Sequence, residues 1–390
     1  MLQNYIQKQK THVVFGKDIL HTVGADVAEY SSRCLLHYDA SPFLTGIVGA
    51  VRDSLVAAGV TVFELGGVQP NPQLSLALQG AKMVRDNDIG FVLSVGGGSA
   101  IDSGKFIGLA AYYDGDPFDY VSFSPVKTPI VPNGCIITAP GTSAETSLAI
   151  VIRNDLVDPE IKKLYYCPQA RPSFAYMDPT WSFTLPPLQT ACGAFDAISH
   201  CMECYFTDTE DADYLWGLAE AAINSIMKNV RIALKEPENY AARANLCQMA
   251  YLPMETQALG TRSNWCVHNI EKPVTATYHS THGLVLGIIT PYWMEYVCRE
   301  NVPLFTRFCV NCLGAGMDFD DPERTILEGI RNMKNFIREI GLMNHLSDIG
   351  VSSDRFEYLA DLAVFGDREN GYVGQVTKLY FDDIVKIYEM

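Results

Sequence analysis

The sequence has few basic residues and lacks the Gly-x-Gly-x-x-Gly fingerprint of many dinucleotide-binding proteins. Its 45 Asp and Glu residues outnumber its 29 Lys and Arg residues, which gives a formal net charge of −16. A surface this acidic repels phosphate backbones and anionic headgroups on average. We therefore expect neither nucleic acid nor a membrane as a partner, and we expect a small-molecule ligand.

A long apolar run is also missing. The first residues have no apolar core of signal-peptide length, and the longest apolar stretch, at 283–294, contains Thr290 and Pro291. The eleven cysteines, an odd number, are scattered along the chain, which is typical of a reduced compartment. These features predict a cytoplasmic enzyme.

Two cysteine pairs have the spacing of zinc ligands. These are Cys201-x-x-Cys204 and Cys309-x-x-Cys312. Both lie in helical patterns without the Gly-rich knuckle loops that surround structural zinc. We do not predict a zinc site from them.

The 390 residues, 48% hydrophobic and 19% charged, are enough for two globular domains. Up to about residue 183, short apolar runs alternate with amphipathic helices, which predicts an α/β domain with a mostly parallel sheet. A helix over 44–58 ends at Gly59, a suitable C-cap. The predicted strands lie at 12–16, 33–38, 61–65, 89–95 and 134–138.

The second half of the chain is predicted to be helical. The segment 177–187 contains three prolines and is predicted to connect the two domains. Beyond it, few stretches have the residue pattern of a strand. Long helical periods cover 211–227 and 321–340; Asp321 is the expected N-cap of the latter and Gly341 its C-cap. We therefore predict an α/β domain over 1–184 and an all-α domain over 185–390.

A glycine turn follows the fourth predicted strand. Gly96-Gly97-Gly98-Ser99 separates that strand from a helix start. Glycines allow close approach of backbone amides to a ligand, and a helix N-terminus favours a phosphate. A tight strand-to-helix turn also needs glycine for steric reasons alone, so both interpretations stay open here.

Other polar residues are expected at the same edge of the sheet. In open α/β sheets, ligands bind at the carboxyl ends of the strands. Asp39, Asn71, the glycine turn and the segment after Thr138 should therefore meet in one crevice.

The helical half contains a candidate divalent-metal site. Asp196 and His200 are four residues apart in a predicted helix, so their side chains share one face. His268 and His282 add two further nitrogen donors that Fe(II) or Zn(II) accepts. The alternative is a hydrogen-bonded core histidine at 200 and a helix-start carboxylate at 196.

The order of these features resembles the iron-containing (group III) alcohol dehydrogenases, essentially from end to end. Within that family the chain looks nearer the butanol dehydrogenase and aldehyde reductase branch, on the similarity of 185–193 and the helix that follows. The motifs that support the resemblance are Phe15-Gly16-Lys17, Asn71-Pro72, 96–105, 138–146, Asp178-Pro179, 193–203, 265–271 and 278–283.

The resemblance implies a Rossmann-like dinucleotide-binding domain followed by a helical domain, the fold shared with dehydroquinate synthase. It also implies hydride transfer between a primary alcohol or aldehyde and NAD(P), a single Fe(II) or Zn(II), and a homodimer or larger oligomer. Metal-ligand positions match Asp196, His200, His268 and His282, and cofactor positions match Gly97, Gly98, Ser99, Asp102, Thr138, Thr142 and Lys162.

Asp39 bears on the choice of cofactor. A carboxylate after the second strand accepts hydrogen bonds from an adenosine ribose and repels a 2′-phosphate. We therefore expect NAD(H) rather than NADP(H). Lys162, which matches a lysine that reaches the cofactor ribose, has a solvated surface charge as its alternative.

The chain departs from the family pattern in two places that concern catalysis. A second histidine, four residues after the third ligand and associated with proton transfer, is Lys272 here. His279 or solvent could replace it, and an exposed loop histidine is the alternative for His279. The family's common Gly-Thr-Gly-Ser-Glu motif is Gly-Thr-Ser-Ala-Glu at 141–145 in this chain. Ser143 replaces the second glycine, and its side chain leaves less space for the cofactor beside this turn.

Two other functions remain open at this stage. One is a dehydroquinate-synthase-like enzyme that acts on a phosphorylated polyol with NAD and a metal. Basic residues are few around the predicted metal site, Lys272 and Arg262 being the best candidates. The other is an inactive family member that binds cofactor only.

Overall fold

The computed structural model describes residues 2–3, 5, 11–158, 160–256 and 259–390. The chain forms two compact units, one over Lys8–Leu185 and one over Pro186–Met390 together with Met1–Gln7. Gln3 belongs to the second unit, where its backbone N–H donates to the Gly260 carbonyl at 2.8 Å.

The first unit is built on a six-stranded, fully parallel sheet. Its strands are β1 (His12–Phe15), β2 (Arg33–Asp39), β3 (Thr61–Val68), β4 (Phe91–Gly97), β5 (Asn133–Ala139) and β8 (Phe174–Met177). Their order across the sheet is β1-β8-β5-β4-β2-β3. Its helices are α1 (Val23–Ala28), α2 (Thr45–Ala57), α3 (Leu74–Asp86) and α4 (Gly98–Ala110).

The central strands are buried on both faces. Leu35 and Val92 belong to a core with α3 and α4, whereas Leu36 and Leu93 belong to a core with α1 and α2. Continuous apolar runs with helices on both faces are what a parallel sheet requires. The predicted helix over 44–58 is α2, and Gly59 follows it with φ +78°.

The sequence prediction missed two parts of this unit. Strand β8 has only four residues, all apolar and buried. An antiparallel hairpin of β6 (Ala149–Asn154) and β7 (Ile161–Tyr166) stands outside the main sheet. Neither was among the five predicted strands.

The second unit is mainly helical. Nearly every residue of α5 and α9 is buried, so these two helices form its centre. The helices are α5 (Pro187–Tyr205), α6 (Asp213–Lys235), α7 (Tyr240–Thr256), α8 (Cys266–Tyr278), α9 (His282–Val297), α10 (Val302–Leu313), α11 (Pro322–Glu339), α12 (Phe356–Ala363) and α13 (Phe381–Glu389).

The second unit is helical as predicted, apart from one small sheet. A two-stranded antiparallel sheet, β9 (Tyr372–Val373) and β10 (Leu379–Tyr380), precedes α13. A strand of two residues is too short to show the alternation of apolar and polar side chains by which strands are recognised in a sequence. Within the described part of the chain, no helix is both long enough and apolar enough to cross a bilayer.

Candidate metal centre and dinucleotide site

Four predicted metal ligands come together inside the helical unit. Asp196 and His200 lie one turn apart on α5, His268 lies in the first turn of α8, and His282 is the first residue of α9. Asp196 Oδ1 is 3.7 Å from His200 Nε2 and 3.6 Å from both His268 Nε2 and His282 Nε2. One carboxylate oxygen therefore faces three imidazole nitrogens.

The donor atoms fit a small divalent cation. Tetrahedral ligands about 2.1 Å from an ion are separated by about 3.4 Å, close to the three distances between Asp196 Oδ1 and the imidazole nitrogens. Asp196 Oδ1 and His268 Nε2 are buried and make no hydrogen bond to any described residue. Buried polar atoms normally have a partner, and a shared cation would supply one.

Electrostatics agrees with this arrangement. Burial raises the pKa of Asp196, but the imidazoles of His200 and His282 outweigh it and lower that pKa to about 2. Burial lowers the pKa of His268, but its contacts with Asp196 and Glu203 reverse the shift and raise that pKa to about 9. The carboxylates make this position attractive to positive charge, whether a proton or a metal ion.

Two glutamates lie behind the histidines, and neither was predicted from the sequence to have a role at this site. Glu203 on α5 accepts a hydrogen bond from His268 Nδ1 at 3.1 Å. Glu271 on α8 has Oε2 2.8 Å from His282 Nδ1. The signal was available, because Glu203 follows His200 by three residues and Glu271 follows His268 by three, which places each pair on one helix face.

Lys272 and His279 occupy the end of the same helical segment. Lys272 lies on α8, one turn after His268, and donates to Asn269 Oδ1 at 2.7 Å. His279 is exposed, follows the last residue of α8 and has φ +49°.

The cysteine pairs form no second metal centre. Among the described residues, one group of three or more His, Cys, Asp or Glu side chains could hold a metal ion: Asp196, His268 and His282, whose donor atoms all lie within 4.8 Å of one another. His200 stands outside this compact group, although its Nε2 is 3.7 Å from Asp196 Oδ1. All eleven cysteines are buried, and none of them forms a disulfide. Burial raises the pKa of the Cys204 thiol to about 11 and that of Cys309 to about 12, which disfavours the thiolate that binds metal.

The glycine turn of the first unit joins β4 directly to α4. Gly96 has φ +150°, and a Cβ there would lie 2.3 Å from Asp39 Oδ2, so only glycine fits. Asp39 Oδ2 accepts a hydrogen bond from the Gly97 amide at 3.0 Å. Burial raises the pKa of Asp39 to about 6 despite this bond. The expected proximity of Asp39 and the glycine turn is therefore present.

The segment after β5 reaches the same turn. A Cβ at Gly98 would lie 2.5 Å from Thr142 Oγ1, so the two residues are in close contact. Thr138 is buried within β5, and Ser99 is in the first turn of α4. Ser143, at the position of the family glycine, is buried and has φ +57°, a left-handed conformation that costs a non-glycine residue energy.

Asn71, Asp102 and Lys162 also lie close together. Lys162 donates to Asn71 Oδ1 at 2.8 Å, and its charge is near enough to lower the pKa of Asp102, although burial dominates and raises it. Asp102 is further bonded to Lys105 Nζ at 3.2 Å and to the Val151 amide at 3.0 Å. Lys162 thus forms a specific contact and is not merely a solvated charge.

The sequence matches two profiles of one family. Residues 10–179 match "Iron-containing alcohol dehydrogenase", and residues 190–390 match "Fe-containing alcohol dehydrogenase family, C-terminal". The chain therefore belongs to the iron-containing alcohol dehydrogenase family and is a metal-dependent alcohol/aldehyde oxidoreductase. The predicted family, fold class and enzyme class are confirmed, and the dehydroquinate-synthase-like alternative is set aside.

Relatives lie in the predicted branch of the family. The chain is 32% identical over 382 residues to NADH-dependent butanol dehydrogenase A of Clostridium acetobutylicum, with 97% of each chain covered. It is 32% identical over 362 residues to the NADPH-dependent aldehyde reductase YqhD of Escherichia coli, with 90% of each covered. A solved butanol dehydrogenase A of Thermotoga maritima superposes with a TM-score of 0.91 at 30% identity, covering 100% of this chain and 98% of that one.

Proposed function

We propose that the chain reduces a short aliphatic aldehyde to its primary alcohol with NADH, using one Fe(II) or Zn(II) held by Asp196, His200, His268 and His282. The observation that carries this proposal is the placement of three imidazole nitrogens 3.6 to 3.7 Å from one buried aspartate oxygen. The reaction balances as aldehyde, NADH and a proton giving alcohol and NAD⁺.

The bound cation would supply Lewis acidity toward the substrate oxygen. The chain's own residues prepare for it. Asp196, with its pKa lowered to about 2, is ionised at neutral pH and contributes the one formal negative charge among the four ligands. Three imidazoles bring no charge when neutral, so the ligand set leaves a divalent ion with net positive charge to act on an oxygen lone pair.

The cofactor site is proposed at the turn between β4 and α4. Gly97 and Gly98 let backbone amides approach the pyrophosphate, and the start of α4 presents unsatisfied N–H groups with a partial positive charge. Ser99, Asp102, Thr138, Thr142, Asn71 and Lys162 are proposed as the surrounding residues. Asn71 and Lys162 are already fixed against each other and need little reordering to contact a ribose.

NADH is favoured over NADPH by the position of Asp39. Its carboxylate lies beside the turn and is bonded to the Gly97 amide. A 2′-phosphate close to that carboxylate meets like-charge repulsion, whereas a ribose hydroxyl can donate to it. The relatives include both an NADH-dependent and an NADPH-dependent enzyme, so they do not decide between the two cofactors. The proposed preference for NADH is therefore based on Asp39.

His279 is proposed as the residue that exchanges the reaction proton with solvent. It is exposed and adjoins the loop that leads to His282. Lys272 is assigned no metal-binding role, because its ammonium donates to Asn269 and an ammonium offers no lone pair to a cation.

The test uses protein purified under anaerobic conditions, with butanal as the substrate. Metal content and the oxidation of NADH and NADPH are measured before chelation, after chelation and after addition of Fe(II) or Zn(II). Near-stoichiometric metal with chelator-sensitive, metal-restored NADH oxidation supports the proposal. Bound metal and nucleotide without turnover on short aldehydes would instead support the inactive family member.

We further propose a homodimer or larger homo-oligomer. Large apolar side chains such as Phe43, Phe123, Phe319 and Phe365 are more than half exposed, and an assembly would cover part of this surface. Light scattering coupled to size-exclusion chromatography measures the mass directly, and a mass near 43.1 kDa would contradict this proposal.

A further inference from the structure

We infer that Glu203 and Glu271 are positioning residues that fix the tautomer and orientation of His268 and His282 for the cation. The inference rests on the proposed function, because it takes those two histidines as ligands. It goes further by assigning a role to two carboxylates that face the Nδ1 atoms of these histidines, whereas the Nε2 atoms face Asp196.

Glu203 holds His268 from a neighbouring helix. It is 1% exposed, and its two oxygens accept three hydrogen bonds: from the Cys266 amide at 3.1 Å, the His268 amide at 3.0 Å and His268 Nδ1 at 3.1 Å. Cys266 and His268 are the first and third residues of α8, whose N-cap residue, Trp265, makes no side-chain cap bond. Glu203 therefore caps α8 and orients its ligand with one carboxylate.

The hydrogen bond also fixes which nitrogen is available to the metal. An ionised carboxylate can only accept, so His268 Nδ1 must carry the proton. In the neutral imidazole, which is the form that binds a metal, His268 Nε2 then has a free lone pair, and this is the nitrogen 3.6 Å from Asp196 Oδ1. A carboxylate behind a ligating imidazole also raises the basicity of the ligand.

Glu271 takes a comparable position behind His282, as a close carboxylate–imidazole contact. It is fully buried, its Oε2 lies 2.8 Å from His282 Nδ1, and His282 Nε2 lies 3.6 Å from Asp196 Oδ1. Its neighbour Ile270 is held from the C-terminal helix, because the Tyr388 hydroxyl donates to the Ile270 carbonyl. Glu271 is thus carried on a segment of α8 that is fixed from two sides.

Charge gives a separate reason for these two residues. Carboxylates at 0% and 1% exposure are costly unless a positive group compensates them. Together with Asp196, they place three acidic side chains around the proposed cation position. The negative charge behind His268 and His282 makes their Nε2 atoms better donors to a cation. A divalent cation at that point would balance most of the charge.

The experiment measures metal affinity in Glu203→Gln and Glu271→Gln. Glutamine keeps the size and one acceptor but loses the charge and turns one oxygen into a donor. The matched control is Glu220→Gln, a glutamate of the same unit that bonds Tyr205 and Arg307 and contacts no predicted ligand. Zn(II) affinity is determined by competition with a chromophoric chelator, and the visible spectrum of the Co(II)-loaded protein reports ligand geometry.

We expect each test variant to bind Zn(II) about 10- to 100-fold more weakly and to change the Co(II) spectrum, while Glu220→Gln stays near the parent. Unchanged affinity and spectrum in both test variants would overturn the inference, and so would an equal loss in Glu220→Gln. If Glu203→Gln fails to fold because α8 loses its cap, Glu271→Gln decides.

A His268→Ala variant separates this inference from the proposed function. Loss of affinity in His268→Ala with none in either glutamate variant would overturn the positioning role alone. Unchanged affinity in His268→Ala would overturn the ligand set, and the positioning role with it.

Discussion

Gly283 packs directly against the backbone carbonyl of Cys192, so that a Cβ at Gly283 would lie 2.1 Å from that oxygen. Gly283 follows the predicted ligand His282, and Cys192 lies on α5 one turn before Asp196. The absence of a side chain at this one position lets the start of α9 approach α5 closely enough for His282 Nε2 to reach 3.6 Å from Asp196 Oδ1.

Gly283→Ala is therefore expected to destabilise the protein and weaken metal binding. The added methyl group meets backbone rather than a mobile side chain, and overpacking of this kind costs about 1–3 kcal/mol. Denaturant unfolding gives the loss in stability, and metal content after dialysis gives the loss at the site.

Gly217→Ala is the matched control. It lies in α6 of the same unit, and a Cβ there would have nothing within 4 Å. Alanine in an open helical position should stabilise by about 0.5–1 kcal/mol. Equal destabilisation in both variants would contradict the claim that the close contact of Gly283 with the Cys192 carbonyl causes the loss of stability.

His268→Ala and Lys272→Ala should have opposite effects on metal content. His268 Nε2 is one of the nitrogens facing Asp196, whereas the Lys272 ammonium is bonded to Asn269. We expect loss of most metal and activity in His268→Ala and parent-like metal content in Lys272→Ala, measured by elemental analysis. Equal metal loss in the two variants would contradict the ligand assignment.

The spacing of Asp196 and His200 was enough to predict their meeting, because four residues in a helix is one turn. The approach of His268 and His282 to them is a tertiary fact. Their residue type suggested two further donors and the resemblance matched them to ligand positions, but spacing alone does not bring separate helices together. Glu203 and Glu271 were within reach of the same periodicity. They were missed because a glutamate on a helix is usually solvated, and only burial distinguishes these two.

Part of the fold was likewise predictable from the sequence. Long buried strands such as β2 and β4 stand out in sequence, whereas β8 is only four residues long and β6–β7 pairs outside the main sheet. Hairpin pairing depends on partners that an isolated run of apolar residues does not identify.

Cofactor preference should depend on pH through Asp39. Burial raises its pKa to about 6, so lowering the pH from 8 to 5.5 removes the negative charge that opposes a 2′-phosphate. We expect the preference for NADH over NADPH, as the ratio of kcat/KM values, to decrease over this range.

Asp39→Asn supplies the control for that titration. Asparagine keeps an acceptor for the Gly97 amide but has no charge. The preference of the variant for NADH should therefore be about tenfold smaller at pH 8, because the repulsion between the carboxylate and the 2′-phosphate is lost. Any pH dependence that remains in this variant comes from groups other than Asp39, such as the 2′-phosphate of NADPH. Unchanged discrimination at pH 8 would show that selectivity lies elsewhere.

The buried imidazole of His37 should make the first unit sensitive to acid. His37 is fully buried, its Nδ1–H donates to the Leu65 carbonyl at 2.7 Å, and its Nε2 accepts from the Ser103 hydroxyl at 2.8 Å. Burial, partly offset by the Leu65 contact, lowers the pKa from 6.5 to about 4. The folded state thus holds the neutral form, while the unfolded chain protonates below about pH 6.5.

Stability from this group is complete above pH 6.5 and is lost as the pH falls toward 4, by about 2 kcal/mol at pH 5. Denaturant midpoints at pH 8 and pH 5 measure the loss. His37→Gln should be less stable at pH 8 but should lose less on acidification than the parent. An identical pH dependence in both proteins would rule out His37 as the cause.

The central claim is that Asp196, His200, His268 and His282 hold one catalytic divalent cation. The most direct measurement is butanal-dependent NADH oxidation by anaerobically purified protein, followed through chelation and addition of Fe(II) or Zn(II), together with metal content. We expect about one metal ion per chain, loss of activity on chelation and recovery of activity when metal is added. Turnover that persists in the fully metal-free protein would contradict it.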